Sequence, residues 1–243
     1  MAHTWIIRTA GTNCDHELAG AFEAAGATTD RVHLNTLIKN PDLFDDYDLI
    51  GIPGGFSYGD DIAAGRIFAL LLREHLYPAL RGCIKRGVPI FAPCNGFQIL
   101  AQTGLLPGPT GSEDFPELAS VPSITLANNV NGRFIDDWVR VEIISESPCI
   151  WTKDIELSEE TAYLPIAHGE GRFYAEASVH EMLLSENLVP MRYGIDDNLN
   201  GSDHRIAGIC DRSGLIFGLM PHPERYTRWT QHPFWTRLGE DVK

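Results

Sequence analysis

Through its first hundred residues the sequence alternates short apolar runs with helical stretches, and that alternation constrains the fold more than any other feature. TWIIRTA (4–10), TTDRVHL (28–34), DLIGI (48–52) and VPIFA (88–92) read as strands. Between the first two, Leu18, Ala21, Phe22 and Ala25 fall at i, i+3, i+4 and i+7, a helical stripe that Asp15 can cap and Gly26 can close. Helical stretches also run through Arg73 and on to Arg86, where Gly87 stops them, and from about Asn95 to Thr103 before Gly104. Strands separated by helices imply a mostly parallel sheet covered on both faces, an α/β doubly wound fold.

The pattern changes from about 105 to 160, where Pro, Gly and Ser are frequent and SITLA and DWVRVEII read as antiparallel strands, a small excursion from the sheet. YLPIAHGEG, RIAGIC and LIFGLM supply further strands, with DRSG (211–214) as a hairpin turn between the last two, and the charged C-terminal segment reads as helical. No repeat or flexible linker stands out, so residues 1–243 are expected to form one domain.

Charge narrows the function classes. With 33 acidic and 19 basic residues the formal net charge is −14. Such a chain is a poor candidate for gripping nucleic acid or an anionic membrane, where a basic face supplies affinity. No apolar run approaches the ~18 residues of a membrane span, and the opening MAHTWIIRTAG is too short and too weakly basic for a secretory signal. Five Cys, an odd number without a C-x-x-C pair, argue for a reducing cytoplasm and against a disulfide framework or a Cys-rich zinc site. No metal is expected.

Doubly wound sheets place ligands at the carboxyl ends of their strands, which directs attention to GTNCD, PGGFSYGD and PCNGFQ. Cys94 lies where a buried strand stops and a helix begins. The unpaired N–H groups and positive dipole end of a helix favour a thiolate there, and Gly96 permits the tight turn of a nucleophile elbow. An arbitrary intracellular Cys is more often a buried structural residue; the strand–helix junction reverses that preference. Cys14 also follows a strand, but Asp15 and Glu17 oppose a thiolate and no Gly follows, so it reads as structural. His222 comes directly after LIFGLM. In an extended segment held by Pro221 and Pro223, Glu224 at i+2 points to the same side and can hold the imidazole tautomer. Cys94, His222 and Glu224 thus make a Cys–His–acid triad from two strand ends. Gly54 and Gly55 let backbone N–H groups approach a ligand and can complete an oxyanion hole with the N–H of Asn95. A phosphate cradle is the rival reading of that loop, but it lacks the Lys and Ser/Thr of a P-loop. Taken singly, a plain turn is the simplest account of it.

These residues resemble the class I (triad-type) glutamine amidotransferases. The matching stretches are GTNCD (11–15), PGGFSYGD (53–60), CNGFQIL (94–100), GLLPG (104–108), IAHGEG (166–171), NGS (200–202), IAGI (206–209) and GLMPHPER (218–225), nearly the whole chain. Within the family the likeness is to glutaminase subunits that serve a separate ATP-dependent synthetase of de novo purine synthesis. The resemblance implies a flavodoxin-like fold and hydrolysis of glutamine by Cys94, His222 and Glu224, with oxyanion N–H groups from Gly55 or Phe56 and from Asn95. It implies a glutamine pocket formed by Gly54, Gly55, Gln98, His168, Gly169 and Glu170. It further implies ammonia delivery to a large synthetase subunit acting on formylglycinamide ribonucleotide, with a small bridging subunit beside it. No cofactor would bind this chain; ATP and Mg would be used by the synthetase. The sequence departs from the family pattern at Ala92, where Gly is common, followed by Pro93, and at Asp137, where an Arg usually stands. The residues by themselves leave two rivals open: another cysteine hydrolase of the fold, of protease or deglycase type, and a non-catalytic regulatory subunit.

Overall fold

The computed structural model describes residues 1–60, 62–109, 114–158 and 161–239. The apolar runs become strands β1 (His3–Arg8), β2 (Thr28–His33), β3 (Leu49–Gly51) and β4 (Ile90–Pro93). Each is joined to the next by helical chain: α1 (Asp15–Ala24), then α2 (Leu34–Lys39), then α3 (Arg66–Leu71), which passes through one wide turn at 72–76 into α4 (Tyr77–Lys85). Helix α5 (Asn95–Thr103) follows β4 directly and ends on Gly104 in the left-handed conformation, φ +75°, which lets the chain turn without a Cβ penalty. The expected cap on α1 is corrected. Cys14 occupies the N-cap without a side-chain bond, and Asp15 lies inside the first turn, where Arg31 and Arg8 pair with its buried carboxylate at 3.4 and 3.8 Å.

The remaining strands are β5 (Ile124–Ala127), β6 (Ile135–Ile143), β7 (Tyr163–His168), β8 (Arg172–Ala175), β9 (Met191–Tyr193), β10 (Ile206–Cys210) and β11 (Ile216–Leu219), with α6 (Ala177–Ser185) after β8. The main sheet runs β2-β1-β3-β4-β11-β10-β9-β6-β7. Its first five strands are parallel, and β10, β9, β6 and β7 continue it antiparallel. The excursion is therefore divided: β5 leaves to pair with β8 in a small sheet of its own, whereas β6 returns to the main sheet. The DRSG turn closes as expected, Gly214 N–H donating to Asp211 O at 3.0 Å. The described C-terminal residues form two short 3-10 turns, Trp229–Gln231 and Trp235–Arg237, rather than an α-helix. They cover edge strand β7 with aromatic rings, Tyr163 lying 5.4 Å from His232 and 6.0 Å from Phe234; covering of this kind blunts an unpaired edge.

The core lies between the sheet and its helices, with Trp5, Ile7, Ile50, Phe68, Leu72, Phe97, Phe217 and Leu219 fully buried. It holds the carboxyl ends of β1, β3, β4 and β11 side by side, and the loops that leave those ends meet above them.

Candidate active site

Cys94 sits between β4 and α5 with φ 50° and ψ −109°, a backbone conformation costly for a side chain bearing Cβ and found where function requires it. Two contacts enforce it. Cys94 N–H donates to Leu219 O at 2.7 Å, tying the elbow to β11. A Cβ on Gly96 would fall 1.9 Å from Ile52 O and 3.1 Å from Ala92 Cβ, so only glycine lets α5 start this close to β3 and β4. Ala92 is fully buried and the elbow forms over it; the Ala92–Pro93 departure is accommodated. The Cys94 sulfur lies 3.7 Å from Ala167 O.

His222 leaves the end of β11 and is anchored by its N–H to Pro165 O at 2.8 Å. Its Nδ1 meets Glu224 Oε1 at 2.6 Å with both side chains about 1 % exposed. The path to that contact differs from the extended one expected: Pro223–Arg225 is a 3-10 turn opened by proline, and the turn brings the carboxylate under the ring. Burial pulls the His222 pKa down. The Cys94 sulfur, the hydrogen bond between the two side chains and the Glu224 carboxylate outweigh it, and the pKa rises to about 10.

Gly54 is enclosed by this group. A Cβ there would be 2.8 Å from His222 Cε1, 3.3 Å from Cys14 Sγ and 3.4 Å from Cys94 Cβ. Gly55 has φ +130° and its missing Cβ would strike Asn13 N at 2.7 Å. Phe56 N–H, one of the expected oxyanion donors, is instead committed to Gly11 O at 2.9 Å; of the two alternatives in that loop this leaves Gly55. Asn95 is the first residue of α5, so its N–H has no partner inside the helix. The Asn95 side chain accepts from Ser57 N–H at 3.3 Å and donates to Gln98 Oε1 at 2.9 Å, and Gln98 Nε2 donates to Glu170 O at 2.5 Å. Gln98 thus lines the site, with both ends of its amide engaged in holding the glycine-rich loop and the HGEG loop together. Glu170 Oε2 accepts from Ala64 N–H at 3.1 Å. Gly55, Phe56, Cys94, Gln98, His168, Gly169 and Glu170 line one cavity of about 130 Å³, with Phe134 at its rim, 6.2 Å from Phe56 ring to ring.

Cys14 is not remote from this chemistry. Its sulfur, a His222 nitrogen and a Glu224 oxygen lie within 4.8 Å of one another. The set has a metal-like composition; Arg225 donates to Cys14 Sγ at 2.9 Å and Glu224 Oε1 is taken by His222, while Glu224 Oε2 has no partner. Burial, followed by nearby Arg225, which acts oppositely, and the carboxylates of Glu17 and Glu224, leave the Cys14 pKa well above the usual thiol range. The reading of Cys14 as a non-nucleophile agrees with that direction, while its position beside the triad was not expected.

The glutamine amidotransferase domain model described as CobB/CobQ-like matches residues 1–243. The phosphoribosylformylglycinamidine synthase subunit PurQ of Dehalococcoides mccartyi is 40% identical over 97% of this chain and 90% of its own length. That of Methanococcus maripaludis is 42% identical over 88% of this chain and 79% of its own. The chain belongs to the glutamine amidotransferase family, with the PurQ subunits. A chain of the PurLQS structure from Thermotoga maritima superimposes on this amidotransferase with a TM-score of 0.72 at 35% identity, covering 94% of this chain and 91% of that one. The resemblance carried by the motifs and the doubly wound fold are thereby shown.

Three residues of this amidotransferase site escaped the motif reading. Arg225 stands in PHPER, but only the tertiary structure directs it to Cys14 and Glu17. Asn129 is a buried Asn in NNVNG whose partners, the HGEG loop and Arg133, are set by folding. Gly171 lies under the His168 ring, where a Cβ would come within 2.2 Å of Cε1. Asp137, the departure from the family's Arg, is exposed and accepts from Trp138 N–H at 2.8 Å.

Proposed function

We propose that this chain is the glutaminase subunit of phosphoribosylformylglycinamidine synthase, its whole length one catalytic domain, with Cys94, His222 and Glu224 as the triad. The observation that carries the reading is the Cys94 elbow facing a buried His222 that is held at 2.6 Å by Glu224. Cys94, its proton passed to His222, attacks the side-chain amide carbon of glutamine, and the N–H groups of Gly55 and Asn95 receive the oxyanion. As the tetrahedral adduct collapses, the C–N bond breaks and His222 returns the proton to nitrogen, which leaves as ammonia. The glutamyl thioester is hydrolysed by water whose proton passes to His222, and the thiol is restored with glutamate as product. Glu224 keeps the ring in one tautomer, Gln98 braces the loops, and Gly54, Gly169, His168 and Glu170 shape the pocket.

The ammonia goes to a large synthetase subunit, with a small bridging subunit in the assembly, and is used there with ATP and Mg to convert formylglycinamide ribonucleotide to the amidine. The name PurLQS of the structural relative supports that partnership. No cofactor is required by the chain itself. We propose the cytoplasm as the site of the complex, the five cysteines all being free; no described helix is long and apolar enough to cross a membrane.

The test is nitrogen-donor exchange in the assembled complex. Cys94→Ser and His222→Ala should each lower glutamine-dependent synthesis by roughly 10³-fold or more, while ammonia-dependent synthesis stays at the unsubstituted level. Full glutamine-dependent activity in either variant would overturn the assignment.

A further inference from the structure

His168 is buried in the wall of the cavity, and its Nε2, almost without accessible surface, has no hydrogen-bond partner. The other ring nitrogen is committed. Asn129 Nδ2 donates to Arg133 O and to His168 O, both at 2.8 Å, so the amide cannot be turned round and Oδ1 is its acceptor end. That oxygen receives Gly171 N–H at 3.2 Å and meets His168 Nδ1 at 3.1 Å. Only a protonated Nδ1 satisfies an acceptor, so the lone pair lies on Nε2. The ring is confined by Gly171, where a Cβ would approach its atoms to 2.2–2.6 Å. Burial, aided by nearby His222, lowers the pKa to about 4, which keeps the ring neutral and Nε2 an acceptor only. A fixed, desolvated acceptor thus sits on a ring that lines the cavity together with Cys94 and Ala167, and a buried acceptor left unpaired is costly.

We infer that His168 Nε2 accepts an N–H of the substrate carboxamide and so selects the amide over the carboxylate that hydrolysis produces. This rests on the glutaminase reading and extends it to specificity. The amide carries two N–H groups and the departing ammonia three, so the lone pair keeps a donor until nitrogen leaves. Thioester hydrolysis then places a carboxylate, which has no donor, against the same lone pair, and glutamate is released. Sites built around a substrate N–H or O–H discriminate in this way against an analogue that lacks it.

The experiment compares the unsubstituted complex with His168→Phe, which keeps a ring over Gly171 but removes the acceptor. We expect kcat/KM for glutamine to fall roughly 10- to 100-fold with the inhibition constant of glutamate unchanged or lower, so that discrimination between the two collapses at least tenfold. Equal weakening of glutamine and glutamate, or no change in either, would overturn the inference. Should His168→Phe not fold, ¹⁵N-histidine NMR of the Cys94→Ser complex reads the same atom. Glutamine should move the Nε2 resonance toward the hydrogen-bonded range and glutamate should not. An unmoved resonance with glutamine bound overturns the role of His168 alone, and failure to bind glutamine at all overturns the glutaminase reading beneath it.

Discussion

A methyl group at position 96 would sit 1.9 Å from Ile52 O, against backbone that cannot yield cheaply. Gly96→Ala is expected to cost about 2–4 kcal/mol in urea unfolding and to abolish reaction of Cys94 with a glutamine-like alkylating agent; a stable, labelled variant would show that the elbow tolerates bulk. His168 acts at the same scale. Its pKa is near 6.5 in the unfolded chain and about 4 in the fold, so the native state binds the proton less readily. The group leaves stability unchanged above about pH 6.5 and lowers it as pH falls toward 4, by about 3 kcal/mol in all. Denaturation midpoints of His168→Phe should therefore fall less steeply than those of the unsubstituted chain between pH 6.5 and 4. Parallel slopes would contradict the depressed pKa.

Between elements, the decisive contact joins the N-terminus of α1 to the turn that carries Glu224. Arg225 reaches from that turn to Cys14 at 2.9 Å and to Glu17 at 3.5 Å. The second pair is between side chains 28% and 43% exposed, so solvent screens it, and Glu17→Gln is expected to cost less than about 1 kcal/mol. Arg225→Met removes a cation lying beside the buried Glu224 carboxylate as well as the bond to Cys14. It is expected to cost more, about 1–3 kcal/mol, and to lower kcat more than it raises KM. Chemical denaturation and steady-state kinetics of the two variants decide this; equal costs would mean that the clamp is a surface ion pair only. The same contact is the part of the Cys14 environment that the sequence could not show. Its charged neighbours Asp15 and Glu17 were legible, whereas Arg225 is 211 positions away and is brought in only by folding.

At the scale of the whole molecule, the parallel half of the sheet presents Cys94 and His222 at adjacent strand ends, and the antiparallel half returns β7 to wall the cavity with Ala167 and His168. The cavity of about 130 Å³ carries Phe56 and Phe134 at its rim, 43% and 52% exposed. With those two rings left exposed at the mouth of the site for a partner to cover, glutamine turnover is expected to be slow in the isolated chain and at least tenfold faster once the synthetase docks. Equal glutaminase rates for the free chain and the complex would contradict that expectation.

The parallel strands, the Cys94 elbow, the His222–Glu224 pair and the glycine loops were legible in the sequence because they rest on local spacing: apolar periodicity, a glycine two residues after the nucleophile, an acid two residues after the histidine. The long-range pattern of motifs was enough to place the chain in its family. Tertiary structure alone decided which N–H groups are spent, as Phe56 N–H is on Gly11 O, how Glu224 reaches His222 through a 3-10 turn, and that β6 rejoins the main sheet. It also decided the tautomer of His168, since a ring nitrogen takes its proton from the partner that folding sets against it, and Asn129 lies 39 residues away.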